Sequence, residues 1–337
     1  MSPSFFPLFC AFFSLPAGAA APLPGPAALH AGILQAARVT LGAAPEPGSP
    51  FKLQTEGADL CVFDTRTTGT PGAETDLAAL LRDRDIVYAG ETHDQSAHHL
   101  AQLEALKALF RSRGSKTVVG FEMLNVTLQP VLDDYAAGRI SEEEFLRLAD
   151  WKKEWGFDFS LYRPLFDFVR ANKLRALALN LPKKIVSKIA REGLAALSPE
   201  ERQFIPPDFK VSADERYLAY LKQSFEGHDG GMGGMLKFEN YLAAMSAWNE
   251  AMGWRLADFM KASPGWAALA VAGSGHVIYN AGLPASVNSR ADGLRQASFY
   301  LLDAAFCPAS LPASDAGLAD YVWYVVPAAG AGQGDIK

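Results

Sequence analysis

Cysteine is scarce in this chain, and none of it is spaced for metal or redox work. Cys10, Cys61 and Cys307 show no C-x-x-C pattern, which excludes a zinc ribbon and a thioredoxin-type pair. After export one disulfide, Cys61 to Cys307, is available; the favoured alternative is that both are buried small hydrophobes. Positive charge is not in excess either, since 31 Lys and Arg stand against 37 Asp and Glu, a formal net charge of -6. Binding to nucleic acid without sequence preference rests on cations neutralising phosphates, so no nucleic-acid partner is expected. Also absent are a G-x-S-x-G elbow, an H-E-x-x-H helix and a G-x-x-x-x-G-K-[ST] loop. Ser274 sits too close to His276 in one turn for an ordinary Ser–His dyad.

No charged side chain precedes Arg38. Before it runs an apolar stretch, Phe5 to Leu15, followed by the small residues Ala17 to Ala21 with Ala-x-Ala triplets near Ala19 and Ala21. The run is too short to span a bilayer and has the shape of a secretory signal, although only the terminal amine supplies its positive end. Phe9 before Cys10 does not make a lipobox. Residues 1–21 are therefore expected to be a signal peptide and 22–50, rich in Pro, Gly and Ala, a disordered linker. The alternative is a misread start followed by a disordered tail.

From Phe51 a folded domain is expected to run to residue 327, within a chain of 337 residues that is 49% hydrophobic. Two short strands, Phe51–Leu53 and Leu60–Asp64, and a helix near Leu77–Arg82 come first. Continuous apolar runs then alternate with amphipathic segments: Ile86–Ala89, Thr117–Phe121, Ala176–Leu179, Ala268–Ala272, and, less regularly, Phe299–Leu302 and Tyr321–Val326. Strands buried on both faces read this way. With helical patterns such as Ala97–Arg111 and Tyr162–Val169 between them, the expected fold is α/β, a mostly parallel sheet flanked by helices. The alternation breaks at about 182–262, where a helical cap insertion is expected, with a glycine-rich loop around His228.

In open parallel sheets ligands gather beyond the carboxyl ends of the strands. Here those ends are polar: Gly90-Glu91-Thr92-His93-Asp94, Glu122, Asn180, and Gly273-Ser274-Gly275-His276. The two G-x-x-H units share a logic in which glycine lets the chain bend off the strand and the imidazole turns back into the cleft. Turn chemistry with core histidines is the alternative for both. Glu122 is either a site carboxylate or a helix cap, and Asp94 is equally a helix-start residue. Of the next two histidines, His98 is the one placed to reach the cleft, and His99 is read as part of a solvated helix face. Tyr162, Tyr217, Tyr220 and Tyr241 offer phenolates of the kind that bind ferric haem, against the alternative of core packing.

The run Val87-Tyr88-Ala89-Gly90-Glu91-Thr92-His93-Asp94 with Ala97-His98-His99, then Gly120-Phe121-Glu122-Met123, Gln129-Pro130-Val131-Leu132, Trp151 with Trp155-Gly156, Tyr162-Arg163-Pro164, Ala178-Leu179-Asn180 and Gly273-Ser274-Gly275-His276 with Gly282-Leu283-Pro284 resembles the ChaN-like haem-binding uptake proteins, in order. The resemblance covers about Leu77 to Pro284. It implies a mostly parallel α/β core and an exported protein, periplasmic or outer-membrane-associated, often a lipoprotein. It also implies haem binding for iron uptake, with haem at a homodimer interface under tyrosine ligation and histidine assistance, and work with outer-membrane haem-uptake machinery. On that reading His93, His98, Asn180, His276, Tyr217 and Tyr220 are the haem-site candidates. The family is similar in turn to the Tiki and erythromycin-esterase group, where paired G-x-x-H motifs and a glutamate form a catalytic centre; carried over, those roles fall on Glu91, His93, Glu122 and His276. A departure from the family is Trp248-Asn249-Glu250, where an aspartate commonly follows the tryptophan.

Two functions follow. The first is a haem-binding protein of the cell envelope, with haem in a cleft at the carboxyl edge of the sheet. The second is a hydrolase of peptides or esters in which His93, Glu122 and His276 hold zinc or manganese, or act directly as acid and base.

Overall fold

The computed structural model describes residues 51–54, 58–66, 77–227 and 236–327. The expected signal peptide, the linker and the loop containing His228 lie outside the described residues. Eight strands form one sheet: β1 (Phe51–Gln54), β2 (Ala58–Asp64), β3 (Ile86–Glu91), β4 (Thr117–Asn125), β5 (Arg175–Asn180), β6 (Ala267–Gly273), β7 (Gln296–Asp303) and β8 (Tyr321–Pro327). Their spatial order is β1-β2-β8-β7-β3-β6-β4-β5. From β8 to β5 every neighbouring pair is parallel, and β1 and β2 add an antiparallel edge. The expected mostly parallel α/β sheet is therefore present.

The apolar runs become central strands because both of their faces are covered. Alternate residues of β3 go to opposite sides: Val87 and Ala89 join one buried cluster, and Ile86 and Tyr88 join the other. The first cluster is closed by α1 (Leu77–Leu81), α2 (Ser96–Arg113), α3 (Gln129–Ala136), α4 (Glu142–Leu148), α5 (Trp151–Glu154) and α6 (Phe159–Ala171). The segment 182–262 supplies α7 (Lys183–Glu192), α8 (Pro199–Arg202), α9 (Glu215–Gly227) and α10 (Phe238–Ala262). Ile185, Leu221, Met245 and Met252 from these helices join the second cluster, so the insertion covers one face of the sheet. Two short helices, α11 (Ser274–Val277) and α12 (Leu283–Asn288), follow β6.

Aromatic packing holds α3 to α6 to the sheet. Phe121 on β4 stacks on Phe166 at 4.3 Å between ring centroids, and Tyr135 stacks on Phe145 at 4.2 Å. Each such side chain removed from water contributes roughly 1.5–3 kcal/mol. The same cluster anchors Trp151, one turn before the Trp155 that reaches the strand ends.

Two features secure the sheet's margins. Cys61 on β2 is bonded to Cys307 beyond β7, with 5.8 Å between their Cα atoms, which corrects the reading of both as unpaired hydrophobes. Their separation is 246 residues, too far for sequence spacing to signal the pair. At the opposite margin β5 is the last strand among the described residues. Two of its backbone groups are met by one side chain: Gln129 Nε2 donates to Ala176 O at 2.9 Å, and Ala178 N donates to Gln129 Oε1 at 2.8 Å.

Candidate functional site

β4 carries Glu122 to the site by leaving its ladder. Phe121 pairs with Ala178 and Asn125 with Asn180, so β4 spends four steps where β5 spends two. A bulge of this kind re-aims side chains at a strand end, and Glu122 sits within it. Asn180 Nδ2 donates to the Glu122 carbonyl at 2.8 Å, taking up a backbone acceptor there, while its own Oδ1 accepts from Leu181 N at 2.8 Å. The expected polar Asn180 is thus a brace for the bulge as well as part of the cleft wall.

The first G-x-x-H glycine, Gly90, acts by close approach. Neither Gly90 nor Gly273 adopts a positive φ, so the turn from β6 into α11 at Gly273 does not draw on the left-handed freedom of glycine. A Cβ on Gly90 would lie 3.0 Å from Ser274 Cα and 3.1 Å from Val277 Cβ, so the absence of a side chain lets α11, which carries His276, pack onto the end of β3. That contact brings the two motifs together.

His93 Nδ1 lies 2.6 Å from Glu91 Oε1, and the imidazole is edge-on to Trp155 at 4.7 Å and tilted against Phe157 at 5.1 Å. His276 Nε2 lies 3.1 Å from Glu122 Oε1, and the other oxygen of that carboxylate accepts from Gly273 N at 2.7 Å. On its far side His276 Nδ1 meets Asn249 Oδ1 at 2.7 Å. Asn249 Nδ2 contacts the Tyr217 hydroxyl at 2.9 Å, and that hydroxyl donates to Gly275 O at 3.0 Å. A phenol has one proton. Because Tyr217 gives it to Gly275, it must accept from Asn249 Nδ2, which leaves Oδ1 to accept from a protonated His276 Nδ1. His276 Nε2 is thereby turned to Glu122.

Glu91, His93, Glu122 and His276 are each no more than 1% exposed, so the two pairs interact with little screening. Burial alone would lower the proton affinity of His93, but Glu91 beside it and Glu122 and Asp94 beyond it outweigh that and raise it above 6.5. Burial would raise Glu122, and His276, His93 and the Gly273 N–H together hold it below 4.5. The arrangement is two imidazole–carboxylate pairs that hold protons at His93 and keep charge on Glu122, the equipment of acid–base chemistry.

The other candidates do not join this group. His98 is buried, but its Nδ1 accepts from Thr92 N at 3.0 Å and its Nε2 lies 3.2 Å from Asp303, so it braces the turn after β3 and leaves the cleft to His93. His99 is also buried and not solvated: Nε2 meets His93 O at 3.1 Å, Nδ1 meets Gln102 at 3.0 Å, and the ring packs on Tyr162 at 4.2 Å. Tyr217 and Tyr220, expected as haem ligands, lie in the second core cluster. Burial raises both phenols far from the phenolate form that would bind iron. Asp94 is exposed just before α2. Among the described residues no group of three or more His, Cys, Asp and Glu is placed to hold a metal ion. At His93, Glu122 and His276 the reason is visible, because His93 Nδ1 is turned to Glu91 and His276 is held between Asn249 and Glu122. The expectation of zinc or manganese there is not supported.

Above the pairs opens a narrow cleft of ≈ 20 Å³ at the carboxyl ends of β4 and β5, lined among others by Met123, Trp155, Asn180, Leu181, Lys183 and Trp248. Trp155 packs on His93 and Trp248 lies edge-on to His276 at 5.4 Å, so each histidine stands behind an indole. Trp155, Trp248 and Asn249 were not singled out as site residues from sequence. The available signal was the unusual Trp248-Asn249-Glu250, whose amide proves to orient His276.

Fold and site together define a parallel α/β protein with two buried G-x-x-H histidine–carboxylate pairs beneath an aromatic cleft at the carboxyl edge of its sheet. The chain belongs to the ChaN family of haem-binding uptake proteins in the Tiki superfamily, whose model matches residues 77–287. Among solved structures it is similar to the ChaN of Campylobacter jejuni, described for cofacial heme binding, at 20% identity and a TM-score of 0.60 over 81% of this chain and 99% of that one. That likeness establishes the shared fold. Weaker likenesses are to the type III effector HopBA1 (12% identity, TM-score 0.43, 74% of this chain and 92% of that one) and to the erythromycin esterase EreC in its open conformation (12%, 0.42, 74% and 78%); neither carries an argument. No curated protein matches the chain. Among the described residues no helix is long and apolar enough to cross a membrane.

Proposed function

We propose that this protein is an exported haem carrier that holds haem in the cleft between Trp155 and Trp248. The single observation that carries this reading is the chemistry of the cleft: two indoles with Met123 and Leu181 provide flat and aliphatic wall, and Asn180 and Lys183 provide polar rim. Ligand sites are built of this mixture, and at ≈ 20 Å³ the cleft has to widen to take a macrocycle. The donor chemistry also fits, since His93 and His276 are imidazoles of the type that bind haem iron. Each stands behind an indole, so an axial bond from either requires that indole to swing aside. The buried tyrosines are not part of this reading.

The Cys61–Cys307 bond supports export, because such bonds persist in oxidising compartments. With the apolar run Phe5 to Leu15 it supports a reading in which the protein works in the periplasm or against the outer membrane and passes haem to outer-membrane uptake machinery. The cofacial heme binding of the Campylobacter jejuni ChaN makes a homodimer the assembly we propose. The test is a haemin titration of the full folded domain followed at the Soret band. Saturation near one haem per chain is expected. Trp155→Ala and Trp248→Ala should each weaken it by about tenfold, from roughly 1.5 kcal/mol or more of lost apolar contact. Failure to saturate would overturn the reading.

A second reading, hydrolysis of a peptide or ester by activated water, is favoured by one observation. The His–carboxylate pair is duplicated, and Glu91 Oε2 is buried with no hydrogen-bond partner. Turnover of a chromogenic ester that is abolished by Glu91→Gln would put this reading first.

A further inference from the structure

A second depression runs beside the outer edge of β5 and takes no part in the buried pairs. Val126, Gln129, Leu177, Ala178, Trp254 and Arg255 surround ≈ 340 Å³ of space there. Its charge is unusual. Arg255 lies over the Trp254 ring at 5.5 Å and donates from one terminal nitrogen to Ala251 O at 3.3 Å, while its Nε has no hydrogen-bond partner. Asp258 also borders the groove, but it is engaged by Lys261 at 2.9 Å. Among the described residues no carboxylate forms a salt bridge with Arg255. Burial pulls its proton affinity down to about 10, against the attraction of Asp258.

A guanidinium that has lost water without gaining a carboxylate is a receptor for one. The remainder of the wall is flat and largely apolar, so the matching anion is a carboxylate carried on a flat apolar body. The groove also adjoins the cleft. Asn125 and Asn180, which line the cleft, are partners across β4 and β5, and Val126 and Ala178 beside them line the groove. Trp248 in the cleft wall and Arg255 in the groove lie on the same helix, α10, two turns or about 10 Å apart along its axis.

We propose that Arg255 is a carboxylate receptor of the haem site, taking a propionate that extends from the cleft past Asn125 and Asn180 into the groove beside β5. This rests on the haem reading above. It assigns the protein a preference for the dicarboxylic macrocycle over its esters and makes Arg255 a specificity-determining residue. Arginine suits the role better than lysine would, because its planar fork can bind both oxygens of one carboxylate.

The test compares haemin with haemin dimethyl ester on the wild-type protein and on Arg255→Met. The wild type should bind the free acid about tenfold or more tightly than the ester, the scale of one charge-assisted hydrogen-bonded pair. Arg255→Met should lose most of that preference while binding the ester as the wild type does, which also shows that the variant is folded. Arg255→Lys should fall between them. Equal binding of acid and ester by the wild type, or a preference that survives in Arg255→Met, overturns the role of Arg255 and leaves the haem reading standing. If neither ligand saturates the wild type, the haem reading fails and takes this one with it.

Discussion

Replacing Glu122 by glutamine tests whether charge, and not merely shape, holds the strand ends together. The amide is isosteric and can still accept from Gly273 N, now 2.7 Å from the carboxylate. What it loses is the charge facing His276 at 3.1 Å and the longer-range attraction on His93. Hydrogen bonds to charged groups contribute about 1.5–3 kcal/mol, and removing one partner of a buried pair costs up to about 3–5 kcal/mol. With one bond retained, a loss of about 2–3 kcal/mol is expected near neutral pH, a Tm lower by roughly 5–10 °C in a domain of this size. The pH dependence is the sharper readout. Glu122 is held below its ordinary 4.5, so its contribution is present above that value and is lost as pH falls through the depressed pKa. His93 is held above 6.5; its contribution is complete below that value and lost as pH rises through the raised pKa. Urea unfolding of wild type and variant across about pH 3 to 8 should show a gap that closes on acidification. In the variant the alkaline loss should begin at lower pH. A gap that stays constant down to the acid limit would refute the charge argument.

Three further outcomes follow from the same contacts. Asn249→Ala leaves His276 Nδ1 and the Tyr217 hydroxyl without their shared partner, at about 1–3 kcal/mol; combined with Tyr217→Phe in a double-mutant cycle the losses should be non-additive, and additivity would dissolve the proposed relay. Gly90→Ala places a methyl 3.0 Å from the backbone of Ser274 and should cost about 1–3 kcal/mol by overpacking, with haem affinity falling alongside; a neutral substitution would show that β3 and α11 have room to spare. Cys61→Ser with Cys307→Ser should lower stability by about 2–4 kcal/mol, and an unchanged denaturation midpoint would argue that the bond in the structure does not form in solution.

Strand identities were legible because strands buried on both faces are apolar at every position. Ile86–Ala89 and Ala268–Ala272 lie inside β3 and β6. Helix α2 likewise follows the expected Ala97–Arg111 closely, and α10 lies within the helical insertion expected at about 182–262. The pairing of the two G-x-x-H motifs was readable because chemistry sits where parallel strands end. Contacts between distant segments were not readable. Asn249 is 27 residues from His276, and its role depends on a phenol proton committed to Gly275. The bulge at Glu122 leaves no mark in composition, since every residue of β4 is buried. His99 was misread as solvated because α2 is buried on more than its apolar stripe, the histidine being enclosed by Tyr162 and the His93 carbonyl.

The amide of Gln129 has a consequence for assembly. A carbonyl two residues before an N–H on the same side of a strand is the repeat that a neighbouring strand reads, and here one side chain occupies both. The sheet is stopped there by a half-buried side chain that is itself held by Asp133. Any chain that adds itself to β5, whether a second copy or an aggregating neighbour, must first replace two hydrogen bonds with two of its own. That exchange offers no gain at that position, so self-association through this edge depends on what the incoming chain can bury elsewhere.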